Sequence, residues 1–372
     1  MNINDIKIPS ALQFSMDDIG WVDGRTTYWD GFQPTKTGLP RYHCLADYKA
    51  VNEIGRVANM KICGMFVIGD WDRIGAVAKA PFSNKLGKNW ERSPYISEEL
   101  EEIRDFVNSC EYLELAFHGL QHECWNDDGE CVSGEFSPPP HLIEKIGQEA
   151  YLRAHFDAFF EIYNDWGFAK PPRAHTCPGG CWKFDMMPKI LNEYGIRYWH
   201  EPNFKTSTST VSDGVISTRM KDWIALWEAY DVNPDKFPLY TEETAGIMVS
   251  HWPNYLRLDP DLNLENLNKW KNFFDRQRTV FGVIVSRDLA FAHHQQLYKT
   301  NCTVTEENGK VKIDCSKVDE IKPDWFDAPI YISVKDGVEF QCEGGVVTEF
   351  EKLDGFTNYE IKRTGDCAIY LK

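Results

Sequence analysis

The chain has 372 residues, enough for one large α/β unit with a smaller one appended, and 42% hydrophobic with 26% charged residues is the composition of a folded chain. A formal charge of −17, from 40 basic against 57 acidic residues, repels phosphate backbones and anionic lipid, so nucleic acid and membrane are excluded as expected partners. The opening MNINDIKIPSALQFSMDD lacks the basic start and apolar stretch of a secretory leader, no run approaches the ~20 apolar residues of a membrane helix, and the 11 cysteines show no repeating spacing, so reduced thiols and a cytoplasmic location are expected.

Short apolar runs of strand length alternate with longer amphipathic segments. ALQFSMDD (11–18) reads as the first strand, HCLADYKAVNEIGRVANM (43–60) as a helix and KICGMFVIGD (61–70) as the second strand. SEELEEIRDFVNSC (97–110) reads as a helix opened by Ser97 in a capping box with a following glutamate, and YLELAF (112–117) as the third strand. A long helical pattern covers 141–166, broken by Pro171-Pro172 ahead of a fourth strand in RAHTCPGG. MMPKILNEYG reads as a helix ended by Gly195, IRYWHEP as the fifth strand, VISTRM as a short strand and KDWIALWEAY as a helix. GIMVSHW (246–252), LENLNKWKNFFDRQRT, FGVIVSRD (281–288) and LAFAHHQQLYKT then alternate strand and helix, for about seven or eight βα units in all. From about residue 300 the pattern becomes a hairpin with Asn308-Gly309 at its turn, followed by alternating β runs. The expected organisation is a barrel-like unit over 1–298 and an antiparallel β module over 299–372 that covers one barrel end or builds a homo-oligomer interface.

Active sites of parallel α/β architectures form where the strands end. Those positions here carry Asp17, Asp18, Asp70, Trp71, His118, His122, Arg173, His200, Glu201, His251, Trp252, Arg287 and Asp288, a concentration of imidazole and carboxylate suited to a metal with acid and base partners. His118-Gly119-Leu120-Gln121-His122 sets two imidazoles four residues apart at a strand end expected to turn into a helix. Either of the adjacent Asp17 and Asp18 supplies an oxygen ligand and the other a base, the competing reading being a solvated turn before Gly20. His251 is an acid or a core histidine, and Arg173 orients the base or caps a surface loop.

The succession FSMDD, ELAFHGLQH, Arg…Pro-Gly-Gly and IMVSHW resembles the polysaccharide deacetylase (NodB-homology, carbohydrate esterase family four) superfamily over residues 11 to about 295. The resemblance implies a distorted (β/α) barrel of about seven strands and a metal-dependent deacetylase of N- or O-acetylated carbohydrate, with an inactive carbohydrate-binding barrel or a non-sugar amidase as alternatives. It implies Asp17 as base, Asp18, His118 and His122 as ligands of a divalent ion (zinc, or cobalt, nickel or manganese), Arg173 as the residue orienting the base, and His251 as acid. Trp71, Trp199, His200 and Trp252 are read as substrate-binding. The chain departs from the family pattern in having Gly119 where Ser or Thr is usual, four residues between Arg173 and Pro178, and no recognisable fourth motif.

Overall fold

Every residue of the first long strand is buried, as expected of a parallel strand covered on both faces. The structure is a computed structural model that describes residues 2–24, 39–180, 184–202, 208–223, 230–307, 309–364 and 368–371. In chain order, β1 (Ile6–Lys7) and β2 (Ser10–Ile19) precede α1 (Leu45–Ala58), β3 (Ile62–Val67), α2 (Glu98–Ser109) and β4 (Leu113–Gly119). A hairpin of β5 (Glu123–Trp125) and β6 (Cys131–Gly134) is followed by α3 (Pro140–Ile143), α4 (Gln148–Asp165), β7 (Ala174–His175), α5 (Met187–Glu193) and β8 (Tyr198–Glu201). Next come β9 (Ser209–Ser212), β10 (Val215–Arg219), β11 (Asp222–Trp223), β12 (Ile247–His251), α6 (Leu267–Arg278), β13 (Val283–Val285) and α7 (Leu289–Asn301). The remainder is β14 (Thr303–Glu307), β15 (Lys310–Asp314), α8 (Ser316–Ile321), β16 (Ile330–Lys335), β17 (Cys342–Glu343), β18 (Gly345–Leu353), β19 (Phe356–Arg363) and β20 (Ala368–Leu371).

The main sheet is curled, with strand order β11-β12-β2-β3-β4-β7-β8-β10-β9 and β13 alongside the start of β2. All of its pairings are parallel except β9 with β10. One stretch of chain serves both sides of the curl: β10 pairs with β8, β11 pairs with β12, and between them Met220 N donates to Glu201 O and Lys221 N to Ile247 O, each at 2.9 Å.

Alternation along the strands sorts side chains into two layers. Leu12, Phe14, Met16, Phe66, Leu115, Phe117 and Trp199 pack against the helices, joining Val51 and Ile54 of α1, Ile103 of α2, Phe156 and Phe159 of α4 and Phe273 of α6. Cys63, Met65, Ala116, Tyr198 and Ile216 face the hollow of the curl. Ser15 lies on that inner side too, its hydroxyl 3.2 Å from Nδ1 of His200 across the hollow. At the end where the strands begin, the inner layer runs on without a break into Leu289 and Leu297 of α7 and Val311, Ile313, Ile332, Ile369 and Leu371 of the C-terminal strands.

Those strands form two antiparallel sheets, β1-β16-β19-β18 and β14-β15-β20-β17. The β module expected after residue 298 is therefore joined by β1 from the chain's start, Ile6 opposite Val334, and shares its core with the main sheet. β19 is a strand the sequence reading did not pick out.

Several local expectations change. Residues 141–166 split into α3 and α4 at Gly147, whose φ of 84° is open to glycine. β8 and β10 are joined through the antiparallel β9 instead of a helix among the described residues, and most of the helix expected over 221–230 lies outside them, as does Asn308. Ser97 stands at the N-cap of α2 but makes no side-chain cap: Leu100 N donates to the Ser97 carbonyl at 3.3 Å, and the third residue on, Leu100, has no carboxylate to close a capping box. No helix of the described residues is long and apolar enough to cross a membrane.

Candidate metal centre

Two breaks in the strand ladders build the centre. The pairing of β2 with β3 steps from Met16–Gly64 to Ile19–Phe66, which leaves one extra residue in β2, and that of β3 with β4 steps from Phe66–Phe117 to Val67–Gly119, which leaves one in β4. The extra residues fall at Asp17-Asp18 and at His118, and such bulges re-aim side chains at strand ends. Asp18 also adopts left-handed backbone, φ 68°. Alternation alone puts neighbouring aspartates on opposite faces; the bulge and the left-handed turn bring Asp18 to the opening of the curl alongside Asp17.

Asp18 Oδ1 lies 3.4 Å from Nε2 of His118 and 3.6 Å from Nε2 of His122, and these three potential ligand atoms lie within 4.8 Å of one another. For metal–ligand bonds of about 2.0–2.1 Å, a tetrahedral site separates its ligand atoms by about 3.3–3.4 Å. The two carboxylate–imidazole edges lie close to that spacing, the donor set of two imidazoles and one carboxylate suits a divalent ion, and Asp18 Oδ1 is a buried oxygen with no hydrogen-bond partner among the described residues. The residues fit the ion.

Each histidine is oriented from its far nitrogen. His118 Nδ1 sits 3.0 Å from the carbonyl of Thr176 and His122 Nδ1 2.9 Å from Glu123 Oε1, which turns both Nε2 atoms towards Asp18. Burial works against charge on His122, but the Glu123 carboxylate outweighs it and lifts the ring to about 9, so a cation binding there displaces a proton. Asp18 is held at about 2: burial opposes ionisation, and the close His118, His122 and His251 rings overcome it. Asp17 goes the other way, raised to about 6 first by burial, with Asp18 adding to the rise and His118 opposing it.

His251 ends β12 directly beside Asp17, their Cα atoms being register partners, and its Nε2 is 4.0 Å from Asp18 Oδ2. Burial lowers its proton affinity to about 4. The structure thus brings together Asp17, Asp18, His118, His122 and His251, as the sequence suggested.

It does not bring Arg173. That residue is exposed at the start of β7, the far end from Asp17, where its charge acts on Glu114 and Tyr198. The substrate-binding expectations are corrected as well. Trp71 is fully buried among Phe66, Trp166 and Phe168 with its indole N–H on Gly20 O. Trp252 is fully buried and stacked on His43 at 3.8 Å, and Trp199 points into the helix layer. His200 is buried below the centre between Ser15 and the ring of His293. All four are core residues, because the inward faces of a curled sheet and the space under its helices are filled before any cleft is.

Sequence reasoning passed over Glu123, Glu135 and His155. Glu135 is fully buried and accepts from the backbone of the HGLQH segment, and His155 holds its Oε1 at 2.8 Å. One signal was available: His155 sits in the apolar stripe of Tyr151, Leu152, Phe156 and Phe159, and a polar ring there requires a buried partner.

The fold and centre define a mixed α/β protein with an Asp-His-His cluster suited to a divalent metal where its parallel strands end. No family model matches the chain, and neither does any curated protein. Among solved structures it is similar to one from Parabacteroides distasonis provisionally described as a glycoside hydrolase/deacetylase, at 11% identity and a TM-score of 0.42 over 89% of this chain and 82% of that one. A provisionally described polysaccharide deacetylase from Mycobacterium smegmatis follows at 13% identity and a TM-score of 0.40, over 75% of this chain and 87% of that one. A 4-alpha-glucanotransferase from Thermococcus litoralis has 10% identity and a TM-score of 0.37, over 75% of this chain and 39% of that one.

Proposed function

We propose that this chain is a metal-dependent hydrolase built on a distorted (β/α) barrel and acting as a deacetylase of an N- or O-acetylated carbohydrate. The barrel reading rests on the segment from Val215 to Trp223, which bonds to β8 and then to β12. The observation that carries the chemistry is the convergence of Asp18, His118 and His122 on one point.

A divalent ion held there, zinc suiting the donor set and cobalt, nickel or manganese being accepted by it, supplies an activated water and polarises an acyl carbonyl. Asp17 is the base: its Oδ1 is buried without a partner among the described residues, and an affinity near 6 lets it take a proton close to neutral pH. His251 is the acid for the leaving amine or alcohol. Burial keeps it neutral at rest, so its proton has to arrive within the cycle, and its register partner Asp17 is the neighbouring carrier. Arg173 has no part in this scheme.

A second reading of the substrate, a non-sugar amide, is favoured by the burial of Trp71, Trp199 and Trp252, which leaves none of them as a stacking platform for a sugar ring. Elemental analysis with turnover of acetylated sugars, simple amides and chelator-treated controls decides among these readings. Asp18→Ala and His118→Ala lose the metal; Asp17→Asn and His251→Ala keep it and lose turnover. Full occupancy in His118→Ala sinks the ligand assignment, and a metal-free wild-type protein that binds sugar without hydrolysis marks an inactive binding barrel.

A further inference from the structure

From Leu120 to the ligand His122 the backbone follows neither helix nor strand. The N–H groups of Leu120, Gln121 and His122 all point at one carboxylate, that of Glu135: Leu120 N lies 3.0 and 2.9 Å from its two oxygens, and Gln121 N and His122 N lie 3.2 and 3.0 Å from Oε2. Consecutive amides converging in this way form a nest for an anion, and here the anion is part of the chain. The segment is also tied in reverse, Glu135 N donating to His122 O at 3.0 Å.

A buried carboxylate needs its own counterpart. His155 of α4 presents Nδ1 to Glu135 Oε1 at 2.8 Å and Nε2 to the carbonyl of Pro81 at 2.9 Å. Glu135 and His155 are thus a fully buried, hydrogen-bonded pair. The pair explains Gly119. A Cβ at that position would stand 2.5 Å from Glu135 Oε2 and 3.0 Å from Pro178 Cγ, so any side chain there displaces the carboxylate.

We infer that Glu135, backed by His155, is a positioning residue that sets His122 as a metal ligand. The inference rests on the metal reading of Asp18, His118 and His122. His118 is fixed independently, by the paired Phe117 and Gly119 on either side of it in β4 and by Thr176 O. His122 lies beyond the strand in left-handed backbone, φ 69°, and its place depends on its amide at Glu135 and its ring at Glu123. Removing the carboxylate leaves three buried amides without an acceptor, and the segment relaxes by moving His122 while His118 stays.

The test uses the full chain, titrated with zinc for affinity and with cobalt for its visible absorption, with thermal melting as the check on folding. Losses of ligand-supporting groups weaken metal binding by about 10- to 100-fold, and Glu135→Gln is expected in that range with a cobalt spectrum altered towards a lower ligand count. Glu135→Asp recovers part of the affinity, Gly119→Ala reproduces the loss with Glu135 intact, and Tyr151→Phe, which removes hydrogen bonds to the Glu135 carbonyl and the Cys124 thiol but none to the Glu135 carboxylate, leaves affinity and spectrum unchanged. A folded Glu135→Gln protein with wild-type affinity and spectrum overturns the inference. If that variant does not fold, unchanged spectra in both Glu135→Asp and Gly119→Ala overturn it equally. Absence of metal binding in the wild-type chain defeats the functional reading instead, so the two failures are told apart.

Discussion

The two ends of the curled sheet are made of the same strands and differ in almost every other respect. Where the strands finish, β2 and β4 each skip a pairing partner, Asp18 and His122 hold left-handed backbone, and buried oxygens of Asp17 and Asp18 have no hydrogen-bond partner among the described residues. Where they begin, the inner wall is mostly apolar apart from Glu114, α7 and the C-terminal sheets cover it, and a buried amide such as Gln295 is fully used, bonding Pro9 O and Tyr331 O through Nε2 and accepting from Tyr331 N. Between the ends, His200 and His293 each keep one ring nitrogen without a hydrogen-bond partner among the described residues. At the finishing end the skipped pairings, the left-handed Asp18 and His122 and the unpaired carboxylate oxygens coincide with the Asp-His-His cluster, and that coincidence singles it out as the candidate site.

The largest expected effect tests whether the aromatics near the finishing end belong to its site or to the core. Trp71→Ala should cost about 3–5 kcal/mol in urea unfolding, the range for truncating a buried tryptophan. A variant that unfolds like wild type but loses substrate affinity would return Trp71 to the substrate wall. Next comes a direct exchange between the ends. Gln295→Ala leaves three backbone groups unpaired and should cost about 2–4 kcal/mol, whereas Asp17→Asn, which removes a buried charge beside another, should leave the metal-free chain as stable as wild type or more so. Equal destabilisation by both would erase the distinction between the ends.

How far this contrast was legible in sequence follows from the range of each interaction. β2, β3, β4 and β12 are continuous apolar runs, and the charged residues that end them stand out locally, so Asp17, Asp18, His118, His122 and His251 were readable. β7 is only two residues long and gives no periodic signal, which is why Arg173 was placed at the wrong end of it. Glu135 meets His155 across 20 residues and the HGLQH amides across 13 to 15, and no local pattern encodes such contacts. Bulges are similarly silent: the alternation that makes β2 a strand predicts that Asp17 and Asp18 diverge, and only the skipped register shows why they do not. Tryptophans identify themselves as large and apolar without revealing which layer they fill.

A pH dependence should arise from the closed end. Glu114 is raised to about 7, first by burial, with the hydrogen bond from Leu289 N opposing and Asp288 adding to the rise. Its folded proton affinity exceeds its unfolded one, so the folded chain holds the extra proton between pH ~4.5 and ~7, and stability falls as pH rises through that window, by at most about 3 kcal/mol. Urea midpoints of wild type and Glu114→Gln, taken at pH 5 and 8 in chelator, should show the fall in wild type and a flatter profile in the variant. An identical slope in both would place the titration elsewhere.

The smallest effect compares two helix starts. Asp288 caps α7 at the closed end, its carboxylate accepting from Phe291 N at 2.9 Å; Ser97 occupies the same position on α2 without making that bond. A working cap contributes about 1 kcal/mol, so Asp288→Ala should lower stability by about that much, while Ser97→Ala should fall within about 0.5 kcal/mol of wild type. The pair separates the identity of a residue from the bond it makes. Serine and aspartate rank alike as N-caps in sequence, and they diverge here because α2 is anchored by the burial of Leu100, Ile103 and Val107 and by Glu99 on Leu45 N, while α7 begins at the seam between the sheet and the C-terminal module, where its first amides meet Glu114 and Asp288. Equal losses in the two variants would mean that Ser97 closes its cap in solution, and that the start of α2 is held by the same local bond as the start of α7.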